Sequence, residues 1–234
     1  CEGLVGSEMC IRDSYHTFSY LIRFLREVAM DPQVKRIHIT LYRLANQSRV
    51  ISALINAAKN GKIVNVVIEL QARFDEKKNI HYLEKMRKEG ILVQTGIEGL
   101  KVHSKLICIE RVFENKIEFF SIIGTGNFNE ISANTYTDYY LMTSRKKITK
   151  EVIRVFEYLG EPYKAQKFKH LIVSPNFTRD KIIDAIDREI KNAKSGLDSG
   201  IWMKFNSLSS YAMIDKLYEA SCAGVKIKLI VRGI

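Results

Sequence analysis

Between Phe18 and Ala29 the apolar residues Phe18, Leu21, Ile22, Leu25 and Val28 return at helical spacing, and Asp31 and Pro32 end the run. A β-like segment follows from Arg36 to Tyr42. The next helix is expected from about Ser48 to Ala58, closed at Asn60-Gly61, where glycine suits a left-handed C-cap. Ile63 to Leu70 is almost continuously apolar and rich in Val and Ile, the pattern of a parallel strand covered on both faces. A helix over about Glu76 to Glu89 leads through Gly90 to a strand at Ile91 to Gln94. Strands and helices that alternate in this way imply βαβ crossovers and a mostly parallel sheet.

Beyond Leu100 the pattern changes to consecutive strands. Val102 to Glu110 and Ile117 to Ile123 flank a charged turn at Glu114-Asn115; a Gly-Thr-Gly-Asn loop and a strand at Tyr139 to Met142 follow. A basic amphipathic helix covers about Ile148 to Leu159, and Gly160-Glu161-Pro162 marks the expected domain boundary. A shift of roughly 163 positions then lays Ile51 on Ile214, Leu54 on Leu217, Ala57 on Ala220, Gly61 on Gly224 and Val64 on Ile227. Helix, glycine cap and buried strand all fall in register. The expected fold is α/β, a mixed and mostly parallel sheet flanked by helices, followed by a truncated second copy. Residues 15–162 form the first domain and residues 163–234 the start of the second. Residues 1–14 show neither helical nor strand periodicity, begin with Cys, and contain MCIRDS, which resembles a translated sequencing adaptor; they are expected to be a non-native leader. The chain also stops inside the apolar run LIVRGI, so it is expected to be a fragment.

Charge narrows the partners. Lys plus Arg number 37 against 26 Asp plus Glu, a formal net charge of +11. A summed field of that sign concentrates polyanions: nucleic acid, acidic lipid, nucleotides or inorganic phosphate polymers. No apolar run reaches the roughly 18 residues of a spanning helix, no signal peptide opens the chain, and the four cysteines have no metal-ligand spacing. A cytoplasmic protein with free thiols is expected.

Chemistry concentrates in Gly99 to Glu110. On a strand, residues two apart share a face, so His103 and Lys105 are expected to project together and to offer a nucleophilic nitrogen beside a fixed positive charge. In Gly124-Thr125-Gly126-Asn127 the small glycines let backbone N–H groups approach phosphate oxygens, and Asn127 adds an amide. Arg43 and Arg73 follow strand ends, where open parallel sheets bind ligands, and guanidinium groups suit phosphate. For Arg73 a salt bridge to Asp75 or Glu76 competes with that reading. Tyr136, Asp138 and Tyr139 follow the glycine loop, where a tyrosine either stacks on a nucleobase or packs. His16, His38, His81 and His170 read as structural.

The segments LYRLANQSRVISALINAAKNGK, VVIELQARFDEKKNI, GLKVHSKLICIE, IIGTGNFNE, ANTYTDYYLMT and AGVKIKLIVRGI together resemble the polyphosphate kinase family that carries phospholipase-D-like domains. Glu110 stands where the wider phospholipase D superfamily usually has Asp, and the glycine loop comes later along the chain. The resemblance implies that His103 takes the γ-phosphate of ATP as a phosphohistidine, with Lys105 and Asn127 in the catalytic set. It further implies that Tyr136 and Arg232 contact ATP, beside the phosphate-binding Gly124 and Gly126 read from the loop itself, and that Arg43 and Arg73 serve the Mg²⁺ region by holding phosphate oxygens that bind the metal. ATP or ADP and inorganic polyphosphate are the implied substrates. The intact protein is expected to form a homo-oligomer with peripheral membrane association, to bind no nucleic acid, and to carry a second catalytic histidine beyond Ile234. The fragment alone is expected to be inactive. The alternatives are a phospholipase-D-type phosphodiesterase or nuclease, and a basic nucleic-acid-binding module.

Overall fold

The computed structural model describes residues 8–12, 17–72, 75–164 and 166–233, the first of these segments by its backbone alone. The chain divides into two compact units, residues 1–171 and 172–234. In chain order the first unit contains β1 (Glu8–Arg12), α1 (Ser19–Met30), β2 (Val34–Leu41), α2 (Arg49–Lys59), β3 (Ile63–Ile68), α3 (Glu76–Lys88), β4 (Leu92–Thr95), β5 (Lys105–Phe113), β6 (Lys116–Gly124), α4 (Glu130–Thr135), β7 (Tyr139–Thr143) and α5 (Lys146–Gly160). The second unit contains α6 (Thr178–Lys194), β8 (Gly200–Phe205), α7 (Tyr211–Cys222) and β9 (Lys226–Val231).

The seven strands of the first unit form one mixed sheet in the order β1-β7-β6-β5-β2-β3-β4. The helical crossovers α2 and α3 bring β2, β3 and β4 side by side in parallel. A two-residue turn joins β5 to β6, so that pair is antiparallel; Glu114 and Asn115 both have positive φ, the backbone that a tight hairpin between twisted strands requires. Five strands (β1, β2, β3, β4 and β6) run one way, and β5 and β7 run against them. The leader without periodicity nevertheless contributes β1, an edge strand paired with β7. Backbone pairing at an edge needs no apolar alternation, which is why the pattern did not reveal it.

On one face, α1, α2 and α3 bury Leu21, Leu25, Val50, Leu54 and Met86 against Ile37, Ile39, Val64, Val66, Ile107 and Ile109. On the other face α5 packs on β5 and β6. A groove of about 610 Å³ beside α5 is lined by Arg36, His38, Asn65, Glu110 and Phe119 among others, and holds none of the candidate site residues. Glu110 faces Arg36 there at 3.9 Å. Burial, and then the charge of Arg36, lowers the pKa of His38 to about 4. An unfolded histidine titrates near 6.5, so the folded state binds fewer protons between the two values and loses stability as pH falls from 6.5 to 4. The expected loss is on the order of 3 kcal/mol. Urea denaturation across that range should show it, and His38→Gln should remove most of it.

The second unit repeats the opening of the first. β8 and β9 are parallel neighbours, as β2 and β3 are. Gly61 and Gly224 both have positive φ, and the helices before them close with equivalent bonds, Lys62 N–H to Ala57 O at 3.0 Å and Val225 N–H to Ala220 O at 3.1 Å. Ile186, Ile190, Ile201, Leu217 and Ala220 form the core of this unit. Among the described residues no helix is long and apolar enough to cross a membrane.

Candidate active site

Because β5 runs against β2, its first residue meets the C-terminal ends of β2 and β3. The hairpin then brings the end of β6 to the same edge, with Lys105 paired to Gly124. The topology thus collects at one sheet edge the segment before β5, the residues after β2 and β3, and the glycine loop.

His103 does not sit on a strand. β5 begins at Lys105, and residues 101–104 belong to no strand, because side chains hold them instead. The Glu69 carboxylate accepts the Val102 N–H at 2.9 Å; the Thr40 hydroxyl donates to Ser104 O at 2.8 Å and accepts the Leu106 N–H at 2.9 Å. His103 and Lys105 do meet, through the lysine folding back. Lys105 Nζ donates to His103 O at 2.6 Å and lies 2.8 and 3.2 Å from the ring nitrogens Nδ1 and Nε2. A donor aligned with one in-plane lone pair would leave the other nitrogen much farther away. The ammonium therefore sits over the ring and not in line with an in-plane lone pair of the imidazole.

Tyr42 supports both groups. Its ring meets His103 edge to face at 4.7 Å, and Lys105 Nζ lies over it at 5.2 Å from the centroid, within cation–π range. Arg43 reaches Asp75 at 3.4 Å, while Asp75 also takes Lys78 at 2.9 Å. The acidic partner weighed for Arg73 thus serves Arg43. Arg73 itself lies outside the described residues.

The electrostatics favour a neutral imidazole among cations. The pKa of His103, an exposed residue whose ring is partly desolvated by its neighbours, is lowered by that desolvation and then by Lys105, Lys101 and Arg43. Lys105 is buried, with 5% of its surface exposed, and burial lowers its pKa to about 8; the charge of Asp138 opposes the shift and Arg43 adds to it. An uncharged imidazole beside ammonium and guanidinium groups is arranged for an incoming anion.

The glycine loop is shaped by packing. A Cβ on Gly124 would meet Tyr140 Cδ1 at 2.6 Å, and one on Gly126 would meet Asp138 Oδ2 at 2.1 Å. Asp138 accepts a bond from the Thr125 hydroxyl at 2.7 Å, and Tyr140 donates to Asn127 O at 2.9 Å. The buried Oδ1 of Asn127, an acceptor, has no hydrogen-bond partner among the described residues. Gly126→Ala is expected to drive Asp138 off Thr125 and to cost about 1–3 kcal/mol, read by thermal denaturation. Asn129 caps α4 by accepting from Ile131 N–H at 2.8 Å, and Tyr136 stands exposed at the end of that helix. Arg232 follows β9 in the second unit, where its N–H donates to Phe205 O at 3.1 Å.

Among the described residues no three His, Cys, Asp or Glu side chains converge as a metal site. The nearby carboxylates are engaged: Asp138 by Thr125, Asp75 by Arg43 and Lys78, Glu69 by backbone amides. These residues do not fit a resident Mg²⁺. Pattern reading passed over Tyr42, Glu69 and Thr40, whose roles depend on contacts between distant segments. The ends of the two apolar strands were the only signal for them.

Two family models match the chain: "Polyphosphate kinase C-terminal domain 1" over residues 2–165 and "Polyphosphate kinase C-terminal domain 2" over residues 171–234. The chain is 47% identical over 219 residues to the polyphosphate kinase of Escherichia coli K12, an alignment covering 94% of this chain and 32% of that protein. It therefore spans about a third of the length of that relative. Among solved structures, polyphosphate kinase from Porphyromonas gingivalis superposes with a TM-score of 0.89 at 40% identity, over 100% of this chain and 39% of the other. The phospholipase D family member Nuc from Salmonella typhimurium is similar in fold alone, with a TM-score of 0.52 at 16% identity, over 66% of this chain and 93% of Nuc.

Proposed function

The chain belongs to the polyphosphate kinase family, and from that membership we propose that it carries a phosphoryl-transfer site in which His103 takes the γ-phosphoryl group of ATP and passes it to inorganic polyphosphate. The observation that carries this reading is the His103 imidazole held against Tyr42 with Lys105 Nζ over its ring, where the charges of Lys105, Lys101 and Arg43 also lower its pKa. A ring nitrogen attacks the γ-phosphorus in line. The bond from phosphorus to the oxygen bridging the β- and γ-phosphates breaks, and ADP leaves with the electron pair. A terminal oxygen of polyphosphate then attacks the phosphohistidine, the P–N bond breaks, and the chain grows by one phosphate. Because the P–N bond keeps high transfer potential, the sequence also runs towards ATP.

Lys105 and Arg43 stabilise charge on the transferring oxygens, while the loop from Gly124 to Asn127 supplies backbone and amide donors. We extend the proposal to Tyr136, Arg73 and Arg232 as contacts of the nucleotide or its phosphates. Mg²⁺ enters as part of the nucleotide substrate, on phosphate oxygens. A cytoplasmic location, a homo-oligomer and peripheral membrane association are proposed for the intact protein.

The likeness to Nuc makes a phosphodiesterase the rival reading. The intact protein should form acid-insoluble polyphosphate from ATP and leave a chromogenic phosphodiester uncleaved. Cleavage of the diester without ATP, and no polyphosphate, would favour the rival. Tight binding of nucleic acid that survives substitution of Lys101, Lys105 and Arg43 would favour a binding module.

A further inference from the structure

We infer that Glu69 is a positioning residue for His103, a carboxylate clasp that ties the His103 segment to the end of β3 and holds the imidazole among its cations. The inference rests on His103 being the phosphoryl acceptor. Glu69 directly follows β3 and is buried, with 5% of its surface exposed. Burying a carboxylate is costly unless its lone pairs are satisfied. Among the described residues no lysine or arginine forms a salt bridge with it. One oxygen instead accepts the Gln71 N–H at 2.8 Å and the other the Val102 N–H at 2.9 Å. These amides lie in different loops, one following β3 and one preceding His103. Two acceptor oxygens serve both at once, whereas a glutamine has only one.

The rest of Glu69 is fixed as firmly. Its N–H donates to Leu41 O at 2.9 Å, and its carbonyl accepts from Asn79 Nδ2 at 2.9 Å. The same amide nitrogen donates to Tyr42 O at 2.8 Å. Glu69 is thus the node where the ends of β2 and β3 meet the segment before β5. With Thr40 bonded to Ser104 and Leu106, side chains pin the chain on both sides of His103, where the β5 ladder begins at Lys105. Without the Val102 bond, His103 hangs from one end only.

Potassium phosphoramidate, a small phosphoryl donor for imidazoles, tests the clasp on this 234-residue chain, with exposed His170 as internal reference. Mass spectrometry should show His103 labelled about tenfold or more faster than His170, and Glu69→Gln should bring the ratio close to one while the His170 rate holds. In the same variant, NMR titration should find the depressed pKa of His103 returning towards that of a free histidine, as the ring leaves Lys101, Lys105 and Arg43. A folded Glu69→Gln protein that keeps both the ratio and the pKa would overturn the inference. Should Glu69→Gln not fold, amide exchange on the unaltered chain decides. The Val102 N–H, outside any strand, should be protected at least about a hundredfold, and exchange as fast as an open loop amide would overturn the clasp. Equal labelling of His103 and His170 in the unaltered chain would count against the acceptor role of His103; the clasp is then judged on the pKa and the exchange.

Discussion

His103→Gln is expected to abolish polyphosphate synthesis by the intact protein, with a rate loss of at least about 10⁴-fold, the scale of losing a covalent nucleophile. Glutamine keeps a polar side chain of similar length but has no nitrogen lone pair to attack phosphorus. His103 is exposed and has no part in the core, so the variant should fold and melt as the parent does. Initial rates of ATP conversion, with melting curves on the same preparations, check both halves. Residual synthesis above a few per cent in a folded variant would mean that another group accepts the phosphoryl.

Lys105→Met is expected to slow phosphohistidine formation by about 10²–10³-fold, a barrier increase of about 3–4 kcal/mol, because it removes a buried cation from the developing charge. The same change should make the chain more stable. Burial puts the pKa of Lys105 at about 8 against an ordinary 10.5. Between those values the folded state binds fewer protons than the unfolded state, so stability rises with pH there. At neutral pH the buried ammonium is a net cost on the order of 1–3 kcal/mol. A variant that is more stable and less active is the mark of a residue kept for chemistry. The pH profile follows as well. The parent rate should fall above about pH 8 as Lys105 loses its proton, and should hold below pH 6.5 because the depressed pKa of His103 keeps it neutral. Lys105→Met should lose the alkaline limb. Rates and urea denaturation from pH 5 to 10 on both proteins measure these effects.

The helices and buried strands of the first unit were legible because apolar period and glycine caps are local signals. Gly61 and Gly224, with their matching bonds, show how far that extends: a cap read in one copy located the other. Legibility failed where local and long-range bonds compete. The strand expected from Val102 begins at Lys105, since Glu69 and Thr40 take the backbone groups that a ladder would have used. The six-residue helix α4 went unread because it is too short to show a period, and its cap Asn129 sits inside the motif Asn-Phe-Asn. At the site, His103, Lys105 and the glycines stood out as residue types. The support of Tyr42 and the carboxylate of Glu69 did not, because each acts on a segment that only the sheet order brings near.

The most direct measurement is the site of covalent phosphate in the intact protein after brief incubation with γ-labelled ATP, mapped by tandem mass spectrometry under neutral conditions. The account requires acid-labile label on His103 that disappears when unlabelled polyphosphate is added. Label on another residue, or full labelling that survives in His103→Ala, would contradict it.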